Sequence, residues 1–202
     1  EVINLGAEFG PWDFIHLSDA AYDSNQLDIA KGYALEAKRK FKLSGDELGL
    51  ASAYNNLGRI ARDFGDFSEA QNFFKKCLPI WENAGDISGQ GIVYGNIAVE
   101  YKRIGEIEKA EENCEIALRL HREAGIERYI ATSLNNYAML MYGYNNEKAE
   151  KLYLEAEELH RKIGYTRGLA SVLNNLGRMK EDQDDLIAAK DYYEQSLSMH
   201  TT

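Results

Sequence analysis

One stretch of this chain is written four times. Ala53-Tyr54-Asn55-Asn56-Leu57-Gly58-Arg59-Ile60-Ala61 returns as Val93-Tyr94-Gly95-Asn96-Ile97-Ala98, as Ser133-Leu134-Asn135-Asn136-Tyr137-Ala138 and as Val172-Leu173-Asn174-Asn175-Leu176-Gly177. The second Asn falls at 56, 96, 136 and 175, in steps of 40, 40 and 39. A fixed period of this length is the signature of an array of like units, each too small to bury its apolar faces alone and stable only when stacked on its neighbours.

The physics of one copy says what the unit contains. With Ser52 as origin and about 100° per residue, Tyr54, Leu57, Gly58, Ile60, Ala61 and Phe64 share one broad side, and Ser52, Asn55, Arg59 and Arg62 fill a narrow wedge opposite, with Asn56 on its flank. This is an amphipathic helix, helix A. The small-residue column Ser18, Gly58, Ala98, Ala138 and Gly177 lets a second helix come close. That helix, B, carries Ala30, Ala70, Ala110, Ala149 and Ala189 in equivalent places, followed four residues later by Ala34, Phe74, Cys114, Tyr153 and Tyr193.

Turn chemistry sets the boundaries. Gly45-Asp46 and Gly85-Asp86 close units, Gly supplying the left-handed cap and Asp beginning the next helix. Five units follow, at about 11–46, 47–86, 87–126, 127–165 and 166–202, after a leader or end of a preceding segment at 1–10 that contains Asn4-Leu5-Gly6. Pro11 suits the first turn of the first helix, whereas Pro79 lies inside a helix B and is expected to kink it. The inner turn of the fourth unit, at Tyr144-Asn145, is expected to lack one residue, which accounts for the step of 39. The chain begins with Glu1 rather than Met, which reads as a piece of a longer protein. From Gly177 the closing glycine would fall just beyond Thr202, so Tyr193, Leu197 and His200 are expected to face further chain or another copy.

Tyr54, Leu57, Gly58, Ala61, Ala70, Phe74 and Cys77 resemble the tetratricopeptide-repeat (TPR) signature, and the resemblance spans about residues 12–202. It is weakest in the first unit, where His16-Leu17-Ser18 replaces Asn-Leu-Gly. The 40-residue form is similar to the repeats of kinesin light chains, G-protein-signalling modulators and bacterial peptide receptors. The resemblance implies an all-α TPR solenoid, a right-handed superhelix of five helix-turn-helix units whose A helices line a concave groove. Asparagines at these helix A places contact bound peptide in related TPR domains.

Composition excludes several classes. The net charge of −10 disfavours nucleic acid and anionic membranes. No apolar run approaches the ~18 residues of a membrane span. Cys77 and Cys114 match no metal or redox spacing and read as reduced core residues of a cytoplasmic protein. Neither a serine-hydrolase elbow, a phosphate loop nor a zinc-protease motif is present, so no catalytic residue, metal or cofactor is expected. His121, His160 and His200 share a slot with Phe41 and Trp81, which makes it a packing place for a flat ring. Glu111-Glu112, Glu157-Glu158 and Asp184-Asp185 read as a solvated outer face.

The wedge is the candidate site. Its residues for binding peptide are Asn55, Arg59, Arg62, Asn96, Lys102, Asn135, Met139, Tyr142, Asn174 and Arg178. An Asn side chain offers donors and an acceptor to peptide backbone of any sequence; the same amides could instead join neighbouring helices. Helix A segments sum to +2 (Arg59, Arg62, Lys102, Arg103, Arg178, Lys180 against Asp63, Glu100, Glu181, Asp182), so the remainder carries −12. The expected function is a protein-interaction scaffold holding an extended, acidic peptide, with Met139 and Tyr142 taking an apolar side chain. The alternative is a ligand-sensing domain controlling an attached output domain. Self-association through the C-terminal unit is a further expectation.

Overall fold

The computed structural model describes residues 9–199; Asn4-Leu5-Gly6 and His200 lie outside them. The elements are α1 (Pro11–Asp23), α2 (Leu27–Ser44), α3 (Glu47–Asp63), α4 (Phe67–Ala84), α5 (Ile87–Arg103), α6 (Ile107–Ala124), α7 (Glu127–Met141), α8 (Asn146–Ile163), α9 (Thr166–Asp182) and α10 (Leu186–Ser198). α1 pairs with α2, α3 with α4, α7 with α8 and α9 with α10 as helical hairpins, A then B, and among the described residues there is no strand. The chain forms two compact units, Glu1–Glu100 and Tyr101–Thr202. In the first, α1 packs on α2, α2 on α3, α3 on α4, and α1 also on α3. In the second, α6 packs on α7, α7 on α8, α8 on α9, α9 on α10, and α7 also on α9. The hairpins α1–α2 and α3–α4 of the first unit, and α7–α8 and α9–α10 of the second, are therefore each closed on themselves and stacked in pairs, with the A helices α1 and α3, and α7 and α9, side by side.

The turns follow the residues that mark them. Asp46 accepts from the Gly49 amide at 2.8 Å, Asp66 from Glu69 at 3.0 Å and Asp86 from Gly89 at 2.9 Å, each satisfying a free donor of a helix start. Gly45 closes α2 at φ 73°, a conformation open to glycine at little cost.

The fourth hairpin corrects the sequence reading. Its missing residue is not in the inner turn: α7 has 15 residues where α5 has 17, and the turn after it is longer than its counterparts. The helix stops at Met141 because Tyr142 turns to extended backbone (φ −59°, ψ 123°) and Gly143 takes φ 90°. Pro79 does not interrupt α4, an 18-residue helix that runs on through it to Ala84.

Packing explains the two residue columns. Ala30, Ala70, Ala110 and Ala149 are each fully buried, and Ser18, also fully buried, donates its hydroxyl to the Ala30 carbonyl at 3.0 Å, a measure of how closely α1 approaches α2. A Cβ on Gly58 would stand 2.6 Å from Phe74 Cε1, and one on Gly177 would stand 2.6 Å from Tyr193 Cε1. A second set of glycines serves the contact between hairpins: Cβ atoms on Gly49, Gly89 and Gly168 would meet the rings of Phe41, Trp81 and His160 at 2.1, 2.4 and 2.5 Å. The slot read as a place for a flat ring is one. His121 lies 5.3 Å from the Tyr129 ring and His160 lies 5.4 Å from the Tyr165 ring. Cys77 and Cys114 are free and buried.

The acidic face is less uniform than expected. Glu111 accepts from Lys148 at 2.6 Å and from the Tyr137 hydroxyl at 3.0 Å, tying α6, α7 and α8 together, so it is structural rather than merely solvated.

His160 makes a pH prediction. It is 1% exposed, its Nδ1 has no hydrogen-bond partner, and burial, with Arg128 nearby, holds its pKa below the usual value. The unfolded chain then binds the proton more readily than the folded one. The contribution to stability is complete above the unfolded pKa of about 6.5 and is lost progressively as pH falls below it. His160→Phe, the residue type found at Phe41, should flatten the decline of melting temperature on acidification. An unchanged slope would remove His160 as its source.

Candidate functional site

The wedge residues of the first compact unit fold onto one another. The Asn96 amide donates to Asn55 Oδ1 at 2.8 Å, and Arg62 donates to Asn96 Oδ1 at 3.2 Å. Arg62 further reaches Asp63 at 3.1 Å and the Tyr22 hydroxyl at 3.2 Å. Asn55 and Arg62 are buried, the guanidinium being held by several partners. Arg59 and Asn56 converge on Asp19, each at 3.1 Å, and Arg59 lies 4.1 Å over the Tyr22 ring. Burial pushes the Asp19 carboxyl up, Arg59 pulling the other way. Burial and the bond to Asp63 push the Tyr22 phenol up as well.

In the second unit the same diagonal bond recurs, Asn175 donating to Asn135 Oδ1 at 3.1 Å. Here, however, the face is more open. Asn174 and Arg178 are exposed, as is Met139 at 40%. Tyr142 donates its hydroxyl to Asp182, and the Arg178 guanidinium lies 5.1 Å over the Tyr142 ring. The Lys102 ammonium donates to the Met139 carbonyl at 2.5 Å, satisfying one of the carbonyls left free at the end of α7. Burial, with Arg178 next, lowers the Lys102 pKa.

The structure thus brings Asn55, Arg59, Arg62 and Asn96 together in one unit, and Lys102, Met139, Tyr142 and Arg178 around the end of α7 in the other. Asn135 is buried beneath Asn175 and bonds its own Met139 Sδ at 3.8 Å. Charge separates the two groups. Arg59 is paired with Asp19, Arg62 with Asp63 and Lys180 with Glu150. Among the described residues, Lys102 and Arg178 make no ion pair.

Sequence reasoning missed Asp19, Tyr22 and Asp63 as partners of the first group and Asp182 as partner of Tyr142. The signal was in the repeat register. Tyr22, Arg59 and Asp63 occupy the places of Tyr142, Arg178 and Asp182, and in both units a phenol donates to the carboxylate while an arginine lies over its ring. At the C-terminal end, Tyr193, Leu186 and Leu197 line a shallow cavity of about 320 Å³ with Glu181, Ala189, Lys190 and Glu194.

Among the described residues no cluster of His, Cys, Asp or Glu is arranged to hold a metal ion, and no helix is long and apolar enough to cross a membrane.

Comparison with known proteins agrees with this architecture. No curated protein matches the sequence. Among solved structures, BtubC (BKLC) from P. vanneervenii is 25% identical, with a TM-score of 0.69 over 96% of this chain and 75% of that one. The Rap protein complexed with Competence and Sporulation Factor is 15% identical, with a TM-score of 0.82 over 94% of this chain and 54% of that one, so this chain spans about half of Rap's length. Kinesin light chain TPR-like repeats from Podospora anserina share the fold at 13% identity and a TM-score of 0.55, over 95% of this chain and 96% of that one. The sequence profile described as tetratricopeptide repeat matches residues 15–83 and 145–202, more than half of the chain. With its paired helices, small-residue columns and 40-residue period, the chain belongs to the tetratricopeptide-repeat family.

Proposed function

We propose that this TPR domain, of a fold that serves protein–protein interaction, is a scaffold that holds an extended acidic peptide along its A helices. One observation carries the reading: on a chain of net charge −10, Lys102 and Arg178 stand on the helix A face without an ion pair, while Arg59, Arg62 and Lys180 are neutralised internally. Unpaired cations on a face that also exposes Met139 and Asn174 match a ligand with carboxylates and an apolar side chain. The amide nitrogens of Asn55 and Asn135 are not used between helices, Asn96 keeps one N–H beyond its bond to Asn55, and Asn174 is exposed to backbone groups of the ligand. In the first unit, Arg59 and Arg62 reach a ligand only by exchanging Asp19 or Asp63. The repeats divide as about 11–46, 47–86, 87–126, 127–165 and 166–202, and this placement is cytoplasmic.

The Rap relative, solved with Competence and Sporulation Factor bound, supports the companion reading, a ligand-sensing domain that controls an attached output domain. Exposed Leu186, Ile187 and Leu197 on α10 support self-association through the last hairpin.

The charge test uses a fluorescein-labelled deca-glutamate peptide. Surface charges contribute only ~0–1 kcal/mol each and are screened by salt, so binding should be strongest at low ionic strength. Arg178→Glu, which removes a cation and adds a carboxylate, should weaken it severalfold with helical content intact. Arg59→Glu with Arg178→Glu should abolish it, but this variant also sets a carboxylate against Asp19, so the single variant is the cleaner arm. Undiminished binding by Arg178→Glu would refute the reading.

A further inference from the structure

Tyr153 is an anomaly in the helix B column. It is fully buried on α8, and its hydroxyl has no hydrogen-bond partner. A buried phenol in a native protein ordinarily finds one, because leaving a donor unsatisfied costs free energy. Its counterparts avoid the problem: Phe74 has no hydroxyl, and Tyr193 donates to Glu181 at 2.8 Å. The place of Glu181 is taken in the preceding hairpin by Tyr142. The Tyr153 hydroxyl therefore points toward the end of α7, where the Arg178 guanidinium overlies the Tyr142 ring and Lys102 sits on the Met139 carbonyl.

Two cations and one unsatisfied donor thus surround the last turn of a single helix. The neighbouring carboxylates are engaged, Asp182 by the Tyr142 hydroxyl and Glu181 by Tyr193. Burial pushes the Tyr153 phenol up to about 12, with Arg178 near enough to oppose the shift, so the hydroxyl keeps its proton and is a donor at neutral pH.

We infer that Tyr153, Arg178 and Lys102 form a subsite for one oxyanion of the bound peptide, an acidic or phosphorylated side chain, with the Tyr153 hydroxyl as the donor that selects it. The inference rests on the peptide-scaffold reading and adds to it the position of the acid and a residue that packing alone would make phenylalanine. Arg178 leaves the Tyr142 ring to meet the oxyanion, which brings the ligand down to the hydroxyl. A carboxylate and a phosphoryl group both accept from these donors.

The experiment compares wild type, Tyr153→Phe and Arg178→Gln. Labelled deca-glutamate and a phosphoserine-containing peptide of equal length are titrated at low salt. Tyrosine ζ-carbon NMR follows inorganic phosphate, with Tyr153→Phe assigning the resonance. Loss of one hydrogen bond to a charged group should weaken binding about tenfold in Tyr153→Phe, without lowering the melting temperature, since the hydroxyl is unsatisfied in the free protein. The peptide that loses more identifies the oxyanion. Equal binding by wild type and Tyr153→Phe overturns the subsite and leaves the scaffold reading standing. If neither peptide binds wild type, the scaffold reading falls, and the subsite is judged by phosphate alone: a saturable Tyr153 shift that is absent in Arg178→Gln supports it, and no shift overturns it.

Discussion

Replacing Trp81 with alanine should be the most damaging single change in the first compact unit, at about 3–5 kcal/mol. The indole is 4% exposed and packs in one cluster with Leu57, Ile60, Phe73, Phe74, Cys77 and Val93. It lies against bare backbone at Gly89, where even a Cβ would come within 2.4 Å of the ring. Removing it leaves a cavity between two hairpins, and neither rigid helix can collapse into it fully. Trp81→Phe should cost much less, because the equivalent slot holds Phe41 against Gly49. Urea titration followed by circular dichroism measures the difference. A loss under about 1 kcal/mol for the alanine variant would show that the stacking of hairpins is not what the indole secures.

Gly58→Leu should destabilise by about 1–3 kcal/mol through overpacking, and the same change at Gly177 should cost less. Both glycines face an aromatic ring 2.6 Å from the place of a Cβ. The difference lies in what the ring can do. Phe74 is 1% exposed and has nowhere to go, whereas Tyr193 is 36% exposed and can swing into solvent. A helix gains up to ~1 kcal/mol when an ordinary residue replaces glycine, which offsets part of either loss. Thermal melts of the two variants should therefore rank Gly58→Leu below Gly177→Leu. The reverse order would contradict the packing of α3 on α4 described above.

The candidate site was only partly legible. Asn55, Asn96, Asn135, Arg59 and Arg62 could be placed on the helix A face from a helical wheel. Their partners could not, because a wheel describes one helix and ignores its neighbours. Asp19 lies 40 residues from Arg59, and only the stacking of α1 on α3 makes them a pair at 3.1 Å. The helix A charges that summed to a modest excess turned out to be unequal: three are internally paired, and Lys102 and Arg178 are not. Tyr153 read as one more ring in a packing column. The lone hydroxyl that sets it apart is visible only when the atoms around it are counted.

Period and wheel, both properties of local spacing, determined by themselves that the chain is an array of helical hairpins and which columns must be small. Hydrophobic burial along a repeat is dictated residue by residue, so these survive without coordinates. Tertiary structure alone decided that α7 ends early, that Arg59 and Arg62 are paired from within while Arg178 makes no ion pair among the described residues, and that Glu111 holds three helices together. Each of those outcomes depends on which side chains from different helices arrive within about 3 Å of one another, the range in which a hydrogen bond or ion pair forms, and no one-dimensional pattern carries that distance.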